Sequence, residues 1–503
     1  MYLSRIALTN VRSMESLAID FGISPEAAPG TNRRWTLLLG ENGCGKSTVL
    51  RAIGLLLAGS DALPELLGDA DAWIRNGTRQ CRIAGTLVTA KGEPREIALE
   101  LHRGDGLRDI FERNARTLDA LDAAIRHADR NYFVLGYGVS RRPPEGGKRL
   151  SAPLDDSARS PRARALASMF SPDASLVSLQ RWAMDLDYRR GAGALAPIRA
   201  ALNQLMRGMN FSRIDKASGQ LMFHTVDGEV PLSQLSDGYQ NMAAWCGDLL
   251  YRITEAFPDR KDPLATRGVL LIDELDLHLH PVWRRQLVDF LSALLPHFQF
   301  IATTHSALTA QQSGEGELFV IRREGTKQRP TLVPFVGEPR LMGVHQLLMS
   351  PMFGLASMDS VVVEQARDTA RKLQAKSTAK GKALTARERT QLQRSTEVLR
   401  AAPEWDAVPG YARQQAALLK ELKATIAKQA AQSAKPAAPE PAAKSRPSTA
   451  KATKVARATQ TAKASKAAAP ASKPSTAAAK PASTPTLSPG KLKAAVKRVE
   501  RSK

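Results

Sequence analysis

Cysteine is scarce: Cys44, Cys81 and Cys246 are the only three in 503 residues. They stand too far apart for a disulfide framework or a zinc site, and they fit a reducing cytoplasm. No apolar run approaches the ~20 residues that a membrane-spanning helix needs. The opening Met1-Tyr2-Leu3-Ser4-Arg5-Ile6 reads as a first strand and lacks the layout of a signal peptide. Aromatic residues are absent altogether from Lys435 to Lys503. That stretch is mainly Ala, Lys, Pro, Ser and Thr and cannot bury enough apolar surface to order itself, so it reads as a disordered tail. It carries 12 Lys and 4 Arg against 2 Glu, more than half of the net charge of +23. The charge therefore says little about the fold and much about the tail.

What is present is a glycine-rich stretch, Gly40-Glu41-Asn42-Gly43-Cys44-Gly45-Lys46-Ser47-Thr48. It satisfies the phosphate-loop pattern G-x-x-x-x-G-K-[ST] at every fixed position. Trp35-Thr36-Leu37-Leu38-Leu39 reads as a buried strand entering it, and Val49 to Leu56 as the helix leaving it. Such a turn points backbone N–H groups at an anion. Lys46 is expected to reach the β- and γ-phosphates of ATP, and Ser47 to ligate Mg²⁺.

Ile6–Ser13 and Leu17–Phe21 alternate apolar and polar residues, as an antiparallel pair would. Arg82–Val88 and Glu96–Leu101 read as paired strands around Lys91-Gly92, and Tyr132–Gly138 as a short buried strand ending in the Ser140-Arg141-Arg142 corner. Pro143–Ser160 reads as a loop, and Pro161–Asn210 as a helical insertion with Leu176, Leu179, Ala183 and Leu186 on one stripe beside a core Trp182. Gln220–Thr225 and Glu229–Leu232 form a hairpin at Asp227-Gly228. Leu235-Ser236-Asp237-Gly238-Tyr239-Gln240 opens a helix. Gly268–Ile272 is a strand ending in Asp273-Glu274, Gln299–Ala302 one ending in Thr303-Thr304-His305-Ser306, and Leu318–Ile321 closes the strand-rich part.

These endings supply what a phosphate loop lacks. Asp273 is the expected Mg²⁺ partner of Ser47. Glu274 is the expected general base for the attacking water, and His305 would orient that water or donate to the γ-phosphate. Ser236 and Gly238 at a helix start make a second anion site. One chain has one phosphate loop, so this second site makes sense if it closes over ATP held by another subunit.

In this order, the motifs resemble the soluble ABC-type ATPases of the RecF, SMC and OLD group, over about Met1 to Ile321. The signature resembles Leu-Ser-Gly-Gly-Gln, with Asp237 replacing the first Gly and Tyr239 inserted before Gln240. Asn10-Val11-Arg12-Ser13 resembles the group's nucleotide-contacting strand, which implies that Arg12 approaches the phosphates. Leu275–Pro281 resembles the segment after the paired acids in OLD-like and defence-associated ATPases and implies a dimer seam. In isolation, its Asp276, His278 and His280 could be metal ligands, a minor reading beside the seam. A glutamine loop is implied as well, with Gln80 and the Tyr137–Arg142 corner both as candidates. Gly343–Leu355 resembles a stretch of PtuA-type ATPases of Septu-like phage defence and of virulence-associated AAA-family ATPases, and reads equally as a core helix and turn. Val361-Val362-Val363-Glu364 resembles the first strand of a TOPRIM nuclease, but Gln365 replaces the required Gly and no Asp-x-Asp follows, which excludes a built-in nuclease of that kind.

The expected fold is α/β: a phosphate-loop head over residues 1–340 with an antiparallel lobe and the helical insertion near 161–210, a helical extension over 341–430, and the tail from 431. The expected function is an ATP-hydrolysing switch that forms a homodimer on ATP and acts on DNA, or on a DNA-acting partner such as a separately encoded nuclease, in genome maintenance or phage defence. A transporter ATPase and a DNA scaffold dominated by the basic tail are the rivals.

Overall fold

The structure, a computed structural model, describes residues 1–402 apart from 24–32, 90–91, 127–132, 142–158, 207, 278, 325–328, 356 and 381–383. The compact unit Met1–Glu404 holds all of them, and the second unit, Trp405–Lys503, lies outside them. So do His278, most of the Pro143–Ser160 loop, the last part of the helical extension and the basic tail.

The first sheet is antiparallel, in the order β2 (Met14–Asp20), β1 (Tyr2–Val11), β4 (Gln80–Val88), β5 (Pro94–His102). Both pairs expected from alternation are present, with Leu8 opposite Leu17 and Ile83 opposite Leu99. The second sheet runs β13 (Arg329–Pro334), β12 (Leu318–Glu324), β3 (Trp35–Gly40), β11 (Phe298–Thr303), β10 (Gly268–Ile272), β6 (Val134–Tyr137). All neighbours are parallel except the β12–β13 pair. Its central strands are near-continuous apolar runs because both faces are covered. Leu38, Leu271 and Ile301 face a core shared with the first sheet and with Leu50 and Ile53 of α1 (Lys46–Leu56). Leu37, Leu39, Leu270 and Phe300 face the opposite core.

That second core is closed by helices. After α2 (Leu63–Leu67) and α3 (Leu107–Arg126) come α4 (Pro161–Phe170), α5 (Leu179–Arg190) and α6 (Ala196–Leu205). The last three form the insertion expected from the sequence, and Trp182 is buried in it with its ring edge-on to Tyr251. A small antiparallel sheet follows, β7 (Asn210–Asp215), β8 (Gln220–Thr225) and β9 (Gly228–Pro231), and leads into α7 (Asp237–Ala256). The expected hairpin is β8–β9. Then come α8 (Pro281–Arg284), α9 (Leu287–Leu294), α10 (Ala307–Ala310) and α11 (Val344–Leu348).

The strand-rich part does not close at Ile321: β13 returns antiparallel to β12. Pro330 and Pro334 disguise it, and an edge strand tolerates them because one side of its backbone needs no ladder bonds. Beyond it, α12 (Val361–Lys380) and α13 (Ala386–Ala401) pair with each other. Val361-Val362-Val363 therefore opens a helix and not a nuclease strand, in keeping with the exclusion above. Thr385 and Glu388 form a capping box at the start of α13.

Candidate active site

The site lies where β3, β11 and β10 end side by side. Parallel strands in that order bring the phosphate loop, the Thr303–Ser306 corner and the Asp273-Glu274 pair to one edge of the sheet. Gly40 is constrained by space and Gly45 by its backbone conformation. At Gly40, φ is +153° and a Cβ would lie 2.2 Å from the Ile321 carbonyl oxygen; at Gly45, φ is +104° and a Cβ would lie 2.4 Å from Met14 Cε. No larger residue fits either position. Asn42 and Gly43 are exposed at the loop's tip, Ser47 and Thr48 are half-buried at the helix start, and Cys44 is buried.

Lys46 folds back on its own loop. Nζ donates to the carbonyls of Gly40 (2.8 Å) and Glu41 (2.9 Å) and lies 3.9 Å from Cys44 Sγ. Burial lowers its pKa, opposed by Cys44, Asp273 and Glu274. The ammonium is thus held on carbonyls that weaker acceptors than phosphate could not easily replace.

The acids are held from β11. Asp273 is buried, and the Thr303 hydroxyl donates to its Oδ1. The Glu274 N–H donates to the same hydroxyl, and Glu274 has φ of +49°, a left-handed backbone rare outside glycine. Thr304 donates to Asp276 Oδ1 (2.7 Å), and Arg284 approaches the other oxygen at 3.6 Å. His305 is exposed at the same corner. Its pKa is lowered by partial burial and then by Lys46, against the pull of Glu274, Asp276 and Asp273. Lys46, Asp273, Glu274 and His305 thus stand in one electrostatic neighbourhood.

The remaining candidates are placed as follows. Ser236 caps α7 by backbone geometry alone; its exposed side chain bonds to nothing in the helix. Gln240 donates to the carbonyls of Leu235 (2.7 Å) and Ser233 (3.2 Å), which pins the turn that presents Ser236 and Gly238. Tyr239 packs edge-on against Trp283 of α8. Arg12, with φ of +51°, lays its guanidinium 4.4 Å from the centre of the Trp73 ring, and burial and Arg51 of α1 lower its pKa. Of the two glutamine-loop candidates, the corner after β6 meets the acids: Arg141 donates to the carbonyls of Asp273 and Glu274. Gln80 stands exposed at the start of β4, opposite His102. His280 caps α8 through Nδ1, and no cluster of metal-ligating side chains occurs among the described residues.

Sequence reasoning named both corners, Thr303–Ser306 and Tyr137–Arg142, but gave neither Thr303 nor Arg141 a role of its own. Arg141 also lines a cleft of about 420 Å³ with Gly238, Asn241, Trp245 and Leu275.

Residues 5–123 match a family described as "AAA domain", and residues 137–310 one described as "AAA domain, putative AbiEii toxin, Type IV TA system". Both halves of the head are thus similar to AAA domains. The resemblance to the RecF, SMC and OLD group and to ATPases of phage defence holds. The chain is 26% identical over 355 residues to the Septu protein PtuA of Bacillus mycoides, covering 70% of this chain and 45% of that protein. It is 31% identical over 119 residues to the Retron Ec83 probable ATPase of Escherichia coli, covering 24% of this chain and 22% of the other. The DNA double-strand break repair Rad50 ATPase of Methanopyrus kandleri is 33% identical over 107 residues, 21% of this chain and 10% of that one. The chain thus spans less than half the length of these curated relatives. Among solved structures, the SMC head domain of Thermotoga maritima aligns with a TM-score of 0.37 at 17% identity, covering 67% of this chain and all of the other.

Proposed function

We propose that the chain binds ATP with Mg²⁺, pairs with a second copy around the nucleotide, and hydrolyses it to release the pair. The observation that carries this reading is the convergence of Lys46, Asp273, Glu274 and His305 at adjoining strand ends, with Ser236 exposed on a separate helix.

The donor set suits the metal. The Ser47 hydroxyl and the Asp273 carboxylate are hard oxygen ligands of the kind Mg²⁺ takes alongside phosphates. Bound there, Mg²⁺ would neutralise charge on the β- and γ-phosphates. Lys46 exchanges the Gly40 and Glu41 carbonyls for phosphate oxygens. Glu274 accepts a proton from the attacking water as the water's oxygen bonds to the γ-phosphorus, and the bond to the β-phosphate oxygen breaks with its electron pair leaving on ADP. His305 donates to or orients the groups on the γ-phosphate side. Ser236 and Gly238 present the start of α7 to the nucleotide of the opposite copy.

The similarity to a Septu protein and a retron ATPase supports a place in phage defence; a separately encoded nuclease as effector and the cytoplasm as setting belong to the same proposal. The similarity to a Rad50 ATPase supports DNA as client. No helix among the described residues is long and apolar enough to cross a membrane.

Glu274→Gln tests the reading. The amide keeps the shape of the side chain and loses its basicity, so ATP binding is expected to persist while turnover falls by ~10²–10⁴. Unchanged turnover on purified protein would remove Glu274 from the role of base.

A further inference from the structure

The corner after β6 reaches the acid pair from the side opposite β11. Arg141 Nη2 donates to the Asp273 carbonyl (3.1 Å) and to the Glu274 carbonyl. Glu274 holds φ of +49°, and a non-glycine residue keeps such a backbone only where its surroundings compel it. Two contacts do so. The Thr303 hydroxyl takes its N–H at 2.7 Å, and Arg141 takes its C=O. Fixing the peptide planes on both sides of a Cα fixes the Cα–Cβ direction, and so the direction in which the carboxylate leaves the chain.

We infer that Arg141 is a positioning residue for hydrolysis: by holding the Glu274 carbonyl it aims the Glu274 carboxylate at the attacking water. This rests on the reading of Glu274 as the base. An arginine on a carbonyl can be mere packing, but the location of this one argues otherwise. Its guanidinium lies 5.7 Å from the centre of the Trp245 ring on α7 and lines the same cleft as Gly238 and Asn241 from the first turn of that helix. Leu275, the residue after Glu274, lines it too. The side chain that grips the base is therefore shared with the helix whose start is offered to a second nucleotide. Displacing α7 alters the seat of Arg141, and through it the aim of Glu274. A misplacement of about 1 Å at a reacting group can cost ~10²-fold in rate.

The test uses the full chain with Arg141→Ala, Arg141→Gln and Arg141→Lys, each alone and combined with Glu274→Gln. Turnover is measured against ATP concentration, with thermal melting to follow folding. Arg141→Ala is expected to lower kcat by about 10–100-fold with KM within about threefold, and Arg141→Lys to recover most of the loss, since an ammonium can still donate to both carbonyls. In the Glu274→Gln background, Arg141→Ala should cost less than about twofold more, because aim matters only while there is a base to aim. If the alanine variant does not fold, the kcat order Arg, Lys, Gln at constant KM carries the same test. The inference is overturned if Arg141 variants turn over within about twofold of wild type while Glu274→Gln is inactive, or if the two losses multiply. Wild-type turnover by Glu274→Gln would instead overturn the parent reading.

Discussion

The hydroxyl of Thr303 donates to Oδ1 of Asp273 across 2.7 Å, and the Thr303 hydroxyl oxygen itself accepts the N–H of Glu274. Thr303 is fully buried at the end of β11, so one hydroxyl of one strand orders both acids of its neighbour. Replacing it by Val keeps the volume and removes both bonds. A buried polar group left unpaired costs about 1–3 kcal/mol. Thr303→Val is expected to lose about that much in urea unfolding and to slow ATP turnover, while Thr303→Ser keeps both near wild type. A valine variant of unchanged stability and rate would show that the acids do not depend on this hydroxyl.

Ser236 offers a test of the two-copy arrangement. Its side chain is exposed and free of the helix it caps, so Ser236→Arg should leave folding intact. A long cation there is expected to obstruct the opposing nucleotide without touching the chain's own phosphate loop. ATP binding should persist and ATP-dependent dimers should vanish in sedimentation. Dimers formed by this variant alone would argue against the second anion site.

His305 gives a pH signature. Burial and Lys46 lower its pKa below the ordinary 6.5, so the folded chain takes up a proton less readily than the unfolded one. The stability linked to this residue is present above pH 6.5 and is lost as pH falls through the lowered folded value. Because His305 is exposed, the effect should be small. Comparing unfolding of wild type and His305→Gln from pH 8 to 5, the wild type is expected to lose ground relative to the variant as pH falls below about 6.5. Parallel curves throughout would show that His305 titrates like a free histidine.

The basic tail is expected to act through phosphates and not through bases, since it has no aromatic residue to stack. Deleting Lys435–Lys503 should leave ATP turnover near wild type, weaken duplex DNA binding at low salt, and flatten the dependence of log affinity on log salt. Equal slopes for the full and shortened chains would leave the tail as a plain solvated linker.

The chemistry of the head was legible wherever it depends on neighbours in sequence. Gly40 to Ser47 announce a phosphate loop because close backbone approach demands glycine at fixed spacing, and the apolar run Gly268–Ile272 announces a buried strand whose end presents Asp273 and Glu274. Alternation marked β1, β2, β4 and β5, each with one face to the core. Two strands escaped. In β7, the six-residue run Asn210–Asp215 is too short to stand out beside a helical insertion, and β13 is bounded by prolines. Tertiary structure alone decided the order β3-β11-β10, which no local pattern encodes because it is set by which apolar faces bury one another. That order is what seats Thr303 between Asp273 and Glu274, brings His305 within reach of Lys46, and lets Arg141 hold Glu274 in a backbone conformation its own side chain disfavours.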